Sequence, residues 1–274
     1  MTDATEPDIL ERVENGVLWL TLNRPDAHNA VTPDQRNRLI ARFNAASADL
    51  NVRSIVLTAV GKGFCTGADL RGDRDPAAAR PEGAPERSFG DVARVIRNGA
   101  QSLIASILDC EKPVIAAVNG TAAGLGAHLA LAADLVIAAE EARFIEVFIR
   151  RGICVDAGGA YLLPRMVGLH KAKELVFFGD DLSAADAERI GLINKVVPAG
   201  ELEGAAKEWA ERLAASPTKA LAVDKRLLNR SLDSDRVTAF EEEAWGQEAL
   251  QTTHDAKEGV ASFVERRPPE FKGW

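Results

Sequence analysis

A chain of 274 residues with 46% hydrophobic composition buries a sizeable core, which excludes disorder throughout and suits one large α/β domain or one domain with a helical appendage. A formal net charge of −8 and a pI near 5.2, with no basic stripe, argue against a nucleic-acid partner. No apolar run approaches the ~20 residues of a membrane helix, and the opening "MTDATEPDILERVENG" has neither the basic flank nor the apolar core of a signal peptide, so a cytoplasmic protein with no membrane partner is expected.

In chain order, "GVLWLTLNRP" reads as the first strand, stopped by Asn23, Arg24 and Pro25. A helix follows in "TPDQRNRLIARFNAASADL": Thr32 is a candidate cap, Pro33 suits the first turn, and Leu39, Ile40 and Phe43 recur at helical spacing. "RSIVLTAV" is a continuous apolar run of strand length ending at Gly61. "KPVIAAV", a glycine-rich turn, a helix to about Ala133 and "DLVIAA" repeat the β-α-β order. Short apolar strands alternating with helices predict a mostly parallel, buried sheet. Between Arg71 and Asp91 the chain is rich in Pro, Gly, Ala and charge without apolar period, which reads as a loop shaping a binding site. From Glu201 onward the pattern is all helical, so residues 1–200 are expected to form the core and 201–274 a helical subdomain with a basic, proline-interrupted tail. Cys65, Cys110 and Cys154 are widely spaced with no CxxC, which predicts neither a disulfide framework nor a metal site.

Two glycine-rich turns carry the functional signal. Gly120, Gly124 and Gly126 lie between a strand and a helix, with Glu140 beyond the next strand, in the manner of a dinucleotide fingerprint. Against that reading, more than a hundred residues of α/β precede the motif, and the only tyrosine, Tyr161, has Arg165 rather than Lys four places on. The amides of such a turn stabilise any anion. "GKGFCTGADL" is the second turn, also at the end of a buried strand. Two turns of this kind could present a pair of N–H donors to one oxygen, the geometry of an oxyanion hole, or be unrelated tight turns.

The stretches "NRPDAHNAV", "GKGFCTGADL", "PVIAAVNGTAAGLGAHLALAADLVIAA", "ARFIEVFIRRGICVDAGGAYLLPRMVG", "LSAADAERIGLINKVV" and "RRPPEFKG" together resemble, in order and spacing, the enoyl-CoA hydratase/isomerase (crotonase) family. The resemblance implies a spiral of ββα units with a helical carboxy-terminal trimerisation region, a homotrimer or dimer of trimers, and an acyl-CoA thioester substrate with no cofactor beyond its own coenzyme A. It also implies that the oxyanion amides are those of Ala68 and Leu125. Leu stands where the family usually has Gly, so its side chain must find space. Coenzyme A and acyl contacts are implied around Arg24, Ala27, His28, Ala68, Asp69, Leu70, Gly124, Phe148 and Lys272. Arg24 and Lys272 enter as phosphate partners, with a solvated surface charge as the alternative for each.

The catalytic acids depart from the family's hydratases. Position by position, their two glutamates correspond to His128 and Phe148. Glu146 is two places from the matching position, and on an extended segment it points to the opposite side from an immediate neighbour. Asp156, in "VDAGGAYLLPR", resembles the single acid of the epoxyphenylacetyl-CoA isomerase-like and enoyl-CoA isomerase-like branches, and could alternatively cap the following helix. His128 reads as a proton acceptor at a helix start or as a half-buried packing residue. Cys65 reads as packing, and Cys154 as a lining residue of the acyl pocket. The resulting expectation is enoyl-CoA isomerisation through a stabilised enolate. Hydration by His128 and Asp156, or thioester binding without turnover, are the alternatives.

Overall fold

The computed structural model describes residues 7–71 and 80–274. The expected loop from Arg71 to Asp91 falls partly outside the described residues, at 72–79, as does the start of the amino-terminal stretch.

The strands are β1 (Ile9–Glu14), β2 (Val17–Leu22), β3 (Ser54–Ala59), β4 (Gly63–Cys65), β5 (Val114–Val118), β6 (Thr121–Ala123), β7 (Leu135–Ala139), β8 (Arg143–Ile145), β9 (Asp181–Ser183) and β10 (Lys195–Val197). The helices are α1 (Pro33–Ala48), α2 (Asp91–Ile96), α3 (Ser102–Leu108), α4 (Leu125–Leu131), α5 (Gly159–Phe178), α6 (Ala184–Arg189), α7 (Leu202–Ala214), α8 (Thr218–Ser231), α9 (Arg236–Leu250) and α10 (His254–Glu265). α1 begins as its sequence dictates. The Thr32 side chain accepts from the Gln35 N–H, Gln35 returns the bond to the Thr32 N–H, and Pro33 fills the first turn.

The main sheet runs β1-β2-β3-β5-β7-β10. β1 and β2 form an antiparallel hairpin, and every other pairing is parallel. The hairpin turn is Asn15-Gly16, both at positive φ, which suits a tight turn matched to strand twist. A second sheet of short strands runs β4-β6-β8-β9. Each of β3, β5 and β7 is followed at once by a short strand of the second sheet, so the chain climbs in ββ steps, with a helix directly after β6. This is the crotonase-type spiral.

The continuous apolar runs are explained by burial on both faces. Leu18, Leu20, Leu22, Ile55, Leu57, Val114, Ala116, Val118, Val136 and Ala138 point into one cluster. Their neighbours Val17, Trp19, Val56, Ile115, Ala117, Ile137 and Ala139 point into the other. α7 covers that second face through Leu202, Ala206, Ala210 and Ala214, a four-residue repeat of mostly small side chains that brings the helix close to the strands. Ser54 Oγ donates 2.8 Å to the Ala210 carbonyl there. The boundary expected at residue 200 is therefore not a break in packing, because α7 belongs to the core. The helices that leave the sheet begin at α8. Among the described residues, no helix is long and apolar enough to cross a membrane.

α8 is fastened to the amino-terminal end of the parallel strands. Lys225 Nζ lies 2.9 Å from Asp134 and donates 2.8 Å to the Ile107 carbonyl, while Asp134 also accepts from the N–H of Val114 at 2.7 Å. α5, broken at Gly168 where φ is +75°, meets the α8–α9 turn through Tyr161 Oη, which donates 2.6 Å to Asp233.

Candidate active site

At the carboxyl end of the strands, β3 leads into the turn of Gly61 to Leu70 and β5 into that of Gly120 to Gly126. The second sheet locks the turns together, because β4 pairs with β6. The glycines there serve close backbone approach. A Cβ at Gly120 would stand 2.0 Å from the Lys62 carbonyl oxygen, and one at Gly126 2.0 Å from that of Cys65. Gly67, at φ +107°, brings its turn to the other: a Cβ would be 3.2 Å from Ala123 O and 3.7 Å from Leu125 N. Close approach between main-chain segments accounts for these glycines without a diphosphate.

What the turns leave free is a pair of donors. Val31 N–H donates to Gly67 O at 2.8 Å and Asp69 N–H to Val31 O at 2.9 Å, so the intervening Ala68 faces the other way, and no hydrogen bond among the described residues uses its N–H. Leu125 opens α4 after Gly124 at φ +53°, and a first helical N–H has no intrahelical acceptor. The Leu125 side chain finds its space in the main core.

Asp156 lies in the turn before α5. The cap of that helix is Gly158, with no side-chain cap bond, and Asp156 contributes only its carbonyl, accepting from Gly159 N–H at 2.9 Å. The capping alternative is thereby removed. Among the described residues no donor reaches the carboxylate, which is half-buried. Burial raises its pKa above the ordinary aspartate range.

His128 is fully buried rather than half-buried. Its Nε2 lies 3.0 and 3.2 Å from the two carboxylate oxygens of Glu146, Nδ1 has no partner, and Phe148 stacks on the ring at 5.5 Å between centroids. Glu146 corrects the sequence reading. Standing two places from the matching position does not keep it out of the site, because the extended segment ends with β8 at Ile145. Beyond it the chain curls into a 3-10 turn at Ile149–Arg151, and Glu146 turns inward. Phe148 is also placed against Gly124, 3.6 Å from the position of a Cβ there, so it walls both that glycine and the imidazole. Burial pushes the Cys65 thiol up to about 12, which suits packing and not attack. Cys154, expected to line a pocket, is exposed.

The remaining expected contacts separate. Arg24 is not a solvated charge: its guanidinium donates to Asp69 at 2.9 Å and to the Ala30 carbonyl at 2.7 Å. Asp69 is held below the usual carboxylate range, first by the Arg71 N–H and then by Arg24. Ala27 and His28 form the outer turn, His28 at φ +51°, with its carbonyl accepting from Thr66 N–H. Leu70 is exposed on the rim. Asn29 was missed from sequence, yet its amide donates 2.9 Å to both Val60 O and Gly63 O while its oxygen accepts from Arg24 N–H. Lys272 is at the other end of the molecule. Its N–H donates to Asp255, and neighbouring Gly273 sits beside Arg53, just before β3, a strand length of about 20 Å from the glycine turns. Within one chain Lys272 does not reach them. No group of three or more metal-ligating side chains occurs among the described residues.

Known proteins resemble this chain over nearly its whole length. The family model described as enoyl-CoA hydratase/isomerase matches residues 12–274. A probable enoyl-CoA hydratase of Rhodobacter capsulatus is 39% identical over 95% of this chain and 96% of its own. The 1,2-epoxyphenylacetyl-CoA isomerase of Escherichia coli is 37% identical over 97% and 98% respectively. The crystal structure of a putative enoyl-CoA hydratase from Streptomyces coelicolor superimposes with a TM-score of 0.86 at 36% identity, covering 100% of this chain and 97% of that one.

Proposed function

The chain belongs to the enoyl-CoA hydratase/isomerase family of acyl-CoA enzymes, and from that premise we propose that it moves a double bond within an enoyl-CoA, with Asp156 as the proton shuttle. In the proposed step the Asp156 carboxylate removes the α-proton of a 3-enoyl thioester. The electron pair passes to the thioester oxygen, where the N–H groups of Ala68 and Leu125 receive the charge. Asp156 then returns the proton at the γ-carbon as the double bond shifts to the 2-position. The coenzyme A portion is placed along Ala27, His28 and Ala68 to Leu70, with Gly124 and Phe148 against the acyl group. Arg24 contributes by holding Asp69 and its turn in place.

The observation that carries this reading is the solitary carboxylate. Asp156 is half-buried, raised in pKa and without a donor, whereas Glu146 is committed to His128. A hydratase holding its water between two carboxylates would need both free. The relatives' names mix the two reactions, so the test must separate them. Purified protein is incubated in deuterated water with a trans-2-enoyl-CoA and a 3-enoyl-CoA, and the products are weighed by mass spectrometry. Double-bond migration or deuterium uptake without added water is expected. Gain of one water would replace the isomerase reading with hydration, and binding without change would make the site a thioester-binding module.

Self-association as a trimer or dimer of trimers is part of the proposal. Phe240, Trp245, Phe263 and Val264 on α9 and α10 are each more than half exposed, an apolar surface suited to burial between copies. Sedimentation showing a monomer at micromolar concentration would remove it.

A further inference from the structure

The shuttle leaves one buried pair unused. Glu146 and His128 are 5% and 0% exposed, and both carboxylate oxygens of Glu146 converge on Nε2. An ionised carboxylate only accepts, so the ring proton shared with it sits on Nε2. Nδ1, buried without a partner, is then a lone pair, and an orphaned lone pair is better tolerated than an orphaned N–H. The ring has no room to turn. Phe148 stacks on one side. At Gly159 a Cβ would meet Cε1 and Nε2 at 2.3 Å. Gly159 also donates its N–H to the Asp156 carbonyl, so the imidazole lies against the very turn that carries the shuttle.

We infer that Glu146 is a positioning residue acting through His128: it locks the Nε2–H tautomer and so holds the Nδ1 lone pair as a hydrogen-bond acceptor for the proton-loaded form of Asp156. The inference rests on Asp156 being the shuttle. Once the carboxylate has taken the α-proton, its O–H gains a neutral acceptor; while ionised, it has no donor. A partner available to the neutral form alone strengthens proton uptake, in the same sense as the burial already described. The other tautomer would donate an N–H to the ionised carboxylate and weaken it as a base.

The test reads the ring first and turnover second. Protein labelled with 15N-histidine carries four such rings, and His128→Gln assigns the one in question. Without substrate, wild type is expected to show a protonated Nε2 and an unprotonated Nδ1. Glu146→Gln, whose amide either donates or accepts, is expected to mix the tautomers, and Glu146→Asp to keep the single one. For α-proton exchange of an enoyl-CoA in deuterated water, Glu146→Gln is expected to lower kcat about tenfold or more with KM within about twofold, and Glu146→Asp to recover part of the loss. A wild-type proton on Nδ1, or a Gln variant with wild-type tautomer and kcat, overturns the inference. Because the ring is read without substrate, an enzyme that adds water instead would defeat the isomerase reading and leave the tautomer result standing.

Discussion

The two ends of the main sheet both bury ionisable groups, and only one of them leaves some polar groups unmatched. At the amino-terminal end Lys225 is matched by Asp134 and the Ile107 carbonyl, and Asp134 by Lys225 and the Val114 N–H. At the carboxyl end the Asp156 carboxylate, His128 Nδ1 and two main-chain N–H groups have no partner among the described residues, and Asn119, just after β5, adds a buried oxygen without one there. Polar groups left unmatched on one side of a fold that matches them on the other mark where a ligand completes the set.

The sharpest way to break the contrast is Asp156→Asn. It keeps the shape and removes the base, and is expected to lower turnover by about 10²- to 10⁴-fold with thioester affinity retained, read by steady-state kinetics beside a binding titration. A normal rate would make the carboxylate ornamental. Gly126→Ala acts on the donors instead: its methyl has no space beside the Cys65 carbonyl, so the turns must part, with an expected loss of about 10²- to 10³-fold in kcat. At the opposite end, Lys225→Met strands Asp134. We expect about 3 kcal/mol of lost stability in urea unfolding, the low end for a broken buried pair because Asp134 is partly exposed, with kcat unchanged in the folded protein.

Two smaller effects concern pH. The base must be ionised, and burial raises its pKa, so the acid limb of the kcat/KM profile is expected above the ordinary aspartate value of about 3.9; a limb at or below that value would place the base elsewhere. The same shift has a sign for stability. A carboxyl whose folded pKa lies above its unfolded one destabilises the fold when ionised, and that effect vanishes below the unfolded pKa. Asp156→Asn is therefore expected to raise Tm slightly at pH 7, with the gain fading as pH falls through the carboxylate range.

Sequence pattern made the large elements legible because each was long enough to carry its own signal. β2, β3, β5 and β7 are apolar runs buried on both faces, and α1 is announced by Thr32, Pro33 and the helical spacing of Leu39, Ile40 and Phe43. The hairpin partner β1 was overlooked although Asn15-Gly16 is a turn signal, because its exposed residues leave little apolar pattern. β4, β6, β8 and β9 have three residues each, too few for any period. For the proposed site, Ala68, Leu125, His128 and Asp156 were nominated through the motifs around them. Glu146 was set aside because it stands two places from the position matching the family's glutamate, and Asn29 was missed because a clamp between three segments has no local signature. The phosphate roles of Arg24 and Lys272 had no such support, since charge in a sequence says nothing of what it will be paired with.

The proposed oxyanion donors are main-chain atoms, and this has a consequence for mutational scanning. No substitution short of proline deletes the amide of Ala68 or Leu125, so a scan of activity would show tolerance at the two positions that supply the groups. The intolerance would fall on Gly67, Gly120 and Gly126, which contribute only the absence of a side chain. A map of mutational sensitivity of this enzyme would outline the mould rather than the casting.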